Sequence, residues 1–504
     1  MKRRAATLGS ALAAILSLSC NLWYAAKPSG NSTSAYRYID KRESSSNQSS
    51  GCGPSDRLQN SQYARDVKAN EVRDPKPGYR VSFQDKTAEI VSQAQRIIET
   101  NQKEGAVLDQ RWYGLKYFDK HQELILNAAS VTFFGGREND VRNHLSGRYI
   151  SIKPIEENQD SGDIRMYIGE RTKSDFDFIV IGQNGNEVAL KTIIRLLYLR
   201  KFVDDKTKQK YRDKLAWFTQ SLQVLLSSVN PRDEFIKFFN RHGIDRSDAV
   251  IIGFRGDVRS LMKDDGISDP ESYTDESLRV NCYPDANGKR VLLVSIDKNR
   301  IFASRAGELI EALLLTSPPA RSPLSITFLG SGGAIDARQM VGQIVTPISV
   351  MNGDSYLASS GKAALVHLIR NSAADGTAPK TADVTVETVV AETTQWVRKM
   401  KDLGISTVDQ ELFHIMNAIN SSPSANKIDL YVGTLVTDNV SSKAQDNDTT
   451  IEHAEEIISA TANVRRAFLS KILKKLGVLK KDASRNQRGS RSAMEGAVHA
   501  FTYP

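Results

Sequence analysis

Ile326-Thr327-Phe328-Leu329-Gly330-Ser331-Gly332-Gly333-Ala334 is the stretch on which the fold turns. Its first part is β-branched, aromatic and apolar, which predicts a buried strand. The small residues that follow predict a turn where a ligand can approach the backbone. Comparable strand-like runs occupy residues 249–254, 291–296, 342–350, 384–390 and 430–437, with helical patterns between them at 304–315, 362–371, 394–403, 408–420 and 451–476. Alternation of this kind predicts an α/β three-layer sandwich with a mainly parallel mixed sheet over residues 246–476. Such sheets bind ligands beyond the carboxyl ends of their strands. Three clusters are therefore candidates: Ser331-Gly332-Gly333-Ala334, Asp409-Gln410-Glu411 at a helix start, and Thr437-Asp438-Asn439 at a strand end. Singly, each also has a structural explanation in tight packing, helix capping or strand termination.

Taken in order, the clusters resemble the purine nucleoside phosphorylase and nucleosidase superfamily over roughly the whole second region. The family's glycine turn and the strand after it are similar to Gly330-Ser331-Gly332-Gly333-Ala334 and Gly342-Gln343-Ile344-Val345. Its Val-Asp-Met-Glu helix start resembles Val408-Asp409-Gln410-Glu411, and its Ser-Asp strand end resembles Thr437-Asp438. The opening strand and acidic turn resemble Ile251-Ile252-Gly253-Phe254-Arg255-Gly256-Asp257-Val258.

The resemblance implies a nucleoside phosphorylase-like fold and a small-molecule nucleoside substrate, with no metal and no cofactor. Asp438 would protonate the departing purine, and Glu411 would hold the ribose hydroxyls and stabilise an oxocarbenium-like sugar. Ser331, Gly332, Gly333, Gln410 and Trp396 would line the substrate, Trp396 by stacking on the base or, equally, by filling the core. The chain departs from the family at Gln410 for methionine, at Ile296-Asp297-Lys298-Asn299 for Gly-Met-Gly, and at Phe328 for a phosphate-binding arginine. Loss of that charge-assisted contact, worth roughly 1.5–3 kcal/mol, favours water over phosphate as the attacking group, with Asp257 as the candidate base. A phosphorylase and a non-catalytic nucleoside-binding envelope protein are the alternatives. Family members assemble as dimers, trimers or hexamers, so a homo-oligomer is also implied.

Upstream, residues 80–245 read as an additional α/β or α+β region of unassigned role. A helix is expected over 87–100, strands at 131–134 and 176–181, a glycine-bearing turn at 182–187 leading into a helix through Leu199, and helix from 205 to 241 with Trp217, Phe218, Phe235, Phe238 and Phe239 at core spacing. The turn lacks a Lys-Ser/Thr pair, so it reads as an ordinary strand-to-helix connection.

The ends carry the compartment. Lys2, Arg3 and Arg4 precede an apolar run at residues 5–18, too short to span a bilayer and suited to a signal peptide over residues 1–20. Leu16-Ser17-Leu18-Ser19-Cys20 resembles a lipoprotein lipobox, which implies lipid attachment at Cys20 and an exported, membrane-anchored protein at the cell envelope. Residues 21–79, rich in Ser and Asn, read as a disordered tether.

The chain has 504 residues, 40% hydrophobic and 25% charged, which excludes a wholly disordered protein. Three cysteines exclude a disulfide scaffold and a thiolate zinc site, leaving a Cys52–Cys282 pair as one option. Residues 465–491 hold ten basic side chains and one acid, Asp482, so the excess there equals the chain's whole net charge of +9. A basic tail over 477–504 can meet lipid or nucleic acid, but a solvated helix end with a frayed tail is the favoured reading, and nucleic acid is not expected as a partner.

Overall fold

A computed structural model of the chain describes residues 81–480 apart from 104–117, 119–120, 156–163, 183, 203–208, 210–219, 245–246, 268–269, 275–277, 285–289, 296–302, 317–323, 354–364, 374–377, 387–391, 393 and 441–456. All of these lie in the unit that begins at Gly78. Cys20, Cys52, the tether, the 296–299 turn, Trp217, Phe218 and the end of the basic tail fall outside the described residues.

The first of two sheets contains β1 (Phe83–Asp85), β2 (Val131–Gly135), β3 (Ser151–Pro154), β4 (Ile164–Glu170), β5 (Phe176–Gly182) and β6 (Leu222–Ser227), in the order β1-β6-β2-β5-β4-β3. The inner strands β6, β2 and β5 are parallel, and the flanking pairs are antiparallel. Alternation sorts the two faces. Val131, Phe133, Phe178 and Val180 pack with the buried sides of helices Thr87–Lys103 and Asn186–Phe202. Phe134, Ile179 and Ile181 face the short helix Glu138–Leu145.

Among the described residues the second sheet has ten strands: β7 (Ala249–Gly253), β8 (Glu271–Thr274), β9 (Arg279–Pro284), β10 (Arg290–Ser295), β11 (Leu324–Ala334), β12 (Ile344–Asn352), β13 (Val366–Leu368), β14 (Lys380–Thr385), β15 (Thr407–Asp409) and β16 (Ile428–Asn439). Strands β10, β7, β11 and β16 are mutually parallel and form its centre. Their near-continuous apolar runs suit strands covered on both faces. Val250, Ile252, Leu292, Val294, Ile326 and Phe328 meet helices Pro231–Arg241, Ser304–Thr316 and Leu412–Ser421. Ala249, Ile251, Val291, Leu293 and Leu329 meet helices Arg255–Asp264 and Ala462–Lys475 on the other side. The second region is therefore a three-layer α/β sandwich.

Several local expectations change. Residues 331–334 continue β11 instead of turning. The helix expected at 362–371 contains strand β13, and the one expected from Val408 starts at Leu412, after β15. Within 205–241, residues Leu222–Ser227 are the edge-proximal strand β6, whose alternating burial gives a period of two.

Helix Pro231–Arg241 then forms for local reasons. Asn230 accepts from the Arg232 N–H at 2.9 Å as N-cap, Pro231 fits the first turn, and Phe235, Phe238 and Phe239 share one face. That face joins the core of the second sheet. Cys282 is buried on β9 in the same core.

Candidate active site

Strand β11 is flanked over Gly333 and Ala334 by β16 on one side and β15 on the other. Both neighbours come close because β11 lacks side chains there. A Cβ on Gly332 would lie 2.5 Å from the Val408 carbonyl oxygen, and one on Gly333 would collide with Val440. Gly333 is also in register with Asp438, next to a bulge between Gly332 and Gly333. The Thr437 hydroxyl donates to Asp438 Oδ1 at 3.1 Å, with the Gly332 carbonyl at 3.3 Å as a second acceptor. Asp438 is half-buried, and Ser331 is exposed.

On the other flank, β15 leads into helix Leu412–Ser421, whose N-cap position is Glu411. Glu411 does not cap that helix with its own side chain. Asp409 Oδ2 accepts from the Leu412 N–H at 3.0 Å, and Thr385 Oγ1 accepts from the Phe413 N–H at 2.9 Å while donating to Asp409 Oδ1 at 2.5 Å. Two orphan N–H groups of the first turn are satisfied from neighbouring strands, and the Glu411 side chain is left for other partners.

Those partners define its chemistry. Burial and the nearby Asp409 push the Glu411 carboxyl up to about 8, opposed by the N–H groups of Ala303 and Gln410 and by Lys191. Ala303 has φ of 51°, in the left-handed region that a non-glycine residue rarely occupies, immediately before helix Ser304–Thr316. Lys191 comes from helix Asn186–Phe202, so the upstream region supplies a charge beside the candidate site. Burial likewise raises Asp409 to about 6, and burial with the Asp409 charge holds Asp383 well above the usual carboxylate range. The two acids occupy neighbouring parallel strands in a dry environment, where only one readily ionises.

Nearby, Gln410 Nε2, His414 Nε2 and Glu308 Oε2 are buried and make no hydrogen bond among the described residues. Burial pushes Glu308 up to about 7 and lowers the His414 imidazole. Among the described residues, no group of three or more His, Cys, Asp or Glu could hold a metal ion.

Two expectations are corrected. Asp257 is buried in helix Arg255–Asp264, with Oδ2 held by Arg465 at 2.6 Å and Oδ1 by Arg466 at 3.2 Å. Both oxygens thus tie two helices together, and neither is left to activate water. Trp396 is 0% exposed and packs among Ile335, Met351, Val384, Met400 and Val408. No face of its ring is open to a base.

Sequence reasoning missed Ala303, Thr385, Asp383 and Lys191. Ala303 and Lys191 lie far from the motif in sequence and carry no local signal. Thr385 and Asp383 could have been found from the polar alternation within Asp383-Val384-Thr385, which is unusual for a buried strand.

No protein-family model matches the chain, and no curated protein matches it. Among solved structures it is similar to the futalosine hydrolase of Helicobacter pylori strain 26695, at 10% identity and a TM-score of 0.36, over 46% of this chain and 99% of that one. It is also similar to a 5'-methylthioadenosine/S-adenosylhomocysteine nucleosidase from Neisseria meningitidis bound to methylthio-immucillin-A, at 15% identity and a TM-score of 0.34, over 45% and 98%. The 5'-methylthioadenosine nucleosidase of Arabidopsis thaliana shares 14% identity and a TM-score of 0.36, over 48% and 97%.

Proposed function

We propose that this chain hydrolyses the N-glycosidic bond of a purine nucleoside or a close analogue at the cell envelope, anchored by a lipid on Cys20. The observation that carries the reading is the register of β11: one stretch of side-chain-free backbone has Asp438 on one flank and the strand leading to Glu411 on the other. Breaking the bond builds positive charge on the sugar and negative charge on the base. Asp438 is the acid that meets the base, and ionised Glu411 takes the ribose hydroxyls and answers the sugar's charge. The unpartnered Gln410 Nε2 and His414 Nε2 support a ligand here, since buried polar atoms ordinarily find a partner. Phe328 supports water over phosphate. It is 1% exposed and packs into the apolar core, with no guanidinium in its place.

The test is release of free base from adenosine, inosine and 5'-methylthioadenosine, with and without phosphate. Release without phosphate is expected, together with a loss of about 100-fold or more in Asp438→Asn, the scale of one proton-transfer group. A requirement for phosphate would move the assignment to a phosphorylase. Absence of release from every substrate, with retained binding, would leave a nucleoside-binding protein.

A further inference from the structure

The first sheet contains a cavity of about 260 Å³ that the proposed hydrolysis does not use. Its floor is the amino end of the parallel strands, on the face opposite the main helical pair. Ser130 and Thr132, Asp177, and Gln223 lie there on adjacent chains, alternating with Val131, Phe133 and Phe178 that point into the core behind. Helix Glu138–Leu145 covers this face only as far as Leu145, and the chain after it brings Arg148 and Tyr149 to the rim. Arg171, from the turn between β4 and β5, completes it.

Asp177 shows why this is more than a gap between elements. The residue is 0% exposed, and every recorded bond is to one oxygen. Tyr149 donates to Oδ2 at 2.7 Å, and Arg171 donates to it through Nε at 2.8 Å and lies within 2.7 Å through its terminal nitrogen. Oδ1 is buried with no hydrogen-bond partner. Such an acceptor normally finds a donor. Burial and Asp177 hold the Tyr149 hydroxyl protonated, so it stays a donor to Oδ2. At the rim, Arg148 is exposed and takes part in no ion pair among the described residues.

Among the described residues, Asp177 and Arg148 therefore present one unmet acceptor at the floor and one unmet guanidinium at the rim, with hydroxyl and amide groups between them. A simple anion would face the Asp177 carboxylate, and a simple cation would face two arginines. A molecule carrying both charges answers both. We propose that this cavity binds a small zwitterion of the amino-acid class, its ammonium on Asp177 Oδ1 and its carboxylate on Arg148, with Ser130, Thr132 and Gln223 contacting the remainder. The volume lies just below the roughly 300–1,000 Å³ of drug-sized sites, as a ligand of that size requires. The upstream region then has a binding role of its own.

Calorimetric titration of the full chain with each of the twenty amino acids, acetate, inorganic phosphate and ethanolamine tests this. At least one amino acid is expected to bind with Kd below roughly 1 mM, with the single-charge probes at least about tenfold weaker. Arg148→Gln is exposed and unpaired, so it should fold normally and still lose about tenfold or more in affinity. Thr132→Val should weaken binding without touching a charge. The proposal is overturned if no amino acid gives a saturable signal, if acetate, phosphate or ethanolamine binds as tightly, or if Arg148→Gln binds unchanged.

Discussion

With its carboxyl pushed up to about 8, Glu411 is mostly protonated at neutral pH, whereas the proposed chemistry needs it ionised. The expected consequence is a value of kcat/KM that climbs about tenfold per pH unit below an apparent pKa near 8 and then levels. In Glu411→Gln that limb should vanish, and a wild-type profile flat from pH 6 to 9 would remove Glu411 from the mechanism. Stability should run the opposite way. Because the folded-state value lies above the ordinary 4.5, the folded chain holds the proton more tightly than the unfolded one. The contribution is fully present below about pH 4.5 and is lost as pH rises through about 8. Urea midpoints of the wild type should therefore fall between pH 5 and pH 8 by more than those of Glu411→Gln.

Asp438 and Glu411 could both be picked out by residue type and position in the sequence. Their surroundings could not, because the Ala303 N–H and Lys191 that act on Glu411 come from distant elements.

At the scale of single elements, β11 shows where local reading went astray. Gly-rich sequence usually marks a turn, but here the glycines make room for β15 and β16 on either side of a continuing strand. Gly332→Ala puts a methyl group 2.5 Å from a backbone oxygen, which cannot swing away as a side chain would. A loss of about 1–3 kcal/mol or more is expected in chemical denaturation, together with lost base release, since the two flanks must part.

Helix Ala462–Lys475 makes a second case. Its basic residues belong to a charge-rich end that reads as solvated, yet Arg465 is buried against Asp257 and stacks over the Phe254 ring at 4.3 Å. Arg465→Met would strip a buried carboxylate of its main partner and is expected to cost about 3–5 kcal/mol, read by denaturation. If Asp257 instead served as a base, Arg465→Met would alter the pH profile more than the stability.

Across the whole molecule, the two regions share more than a linker. Helix Pro231–Arg241 follows the first sheet in sequence but places Phe235, Phe238 and Phe239 in the core of the second. Phe239→Ala is expected to lower the protection of β7 and β10 amides in hydrogen exchange by about 3–5 kcal/mol, the cost of a large cavity in a close-packed core. Protection lost only in β2 and β5 would return the helix to the first region. Lys191 and Glu187, both on helix Asn186–Phe202, act across the same junction on Glu411 and His414.

Apolar periodicity is a local property, and by itself it determined that this chain alternates strands and helices, where the central strands of the second sheet begin, and which carboxylates stand at strand and helix ends. Exposure, ionisation and pairing depend on what arrives from elsewhere in the chain. Only the tertiary structure therefore decided that Trp396 is core, that Asp257 is tied to Arg465, that the glycines of β11 are strand, and that burial beside Asp409 raises the Glu411 carboxyl above its ordinary range.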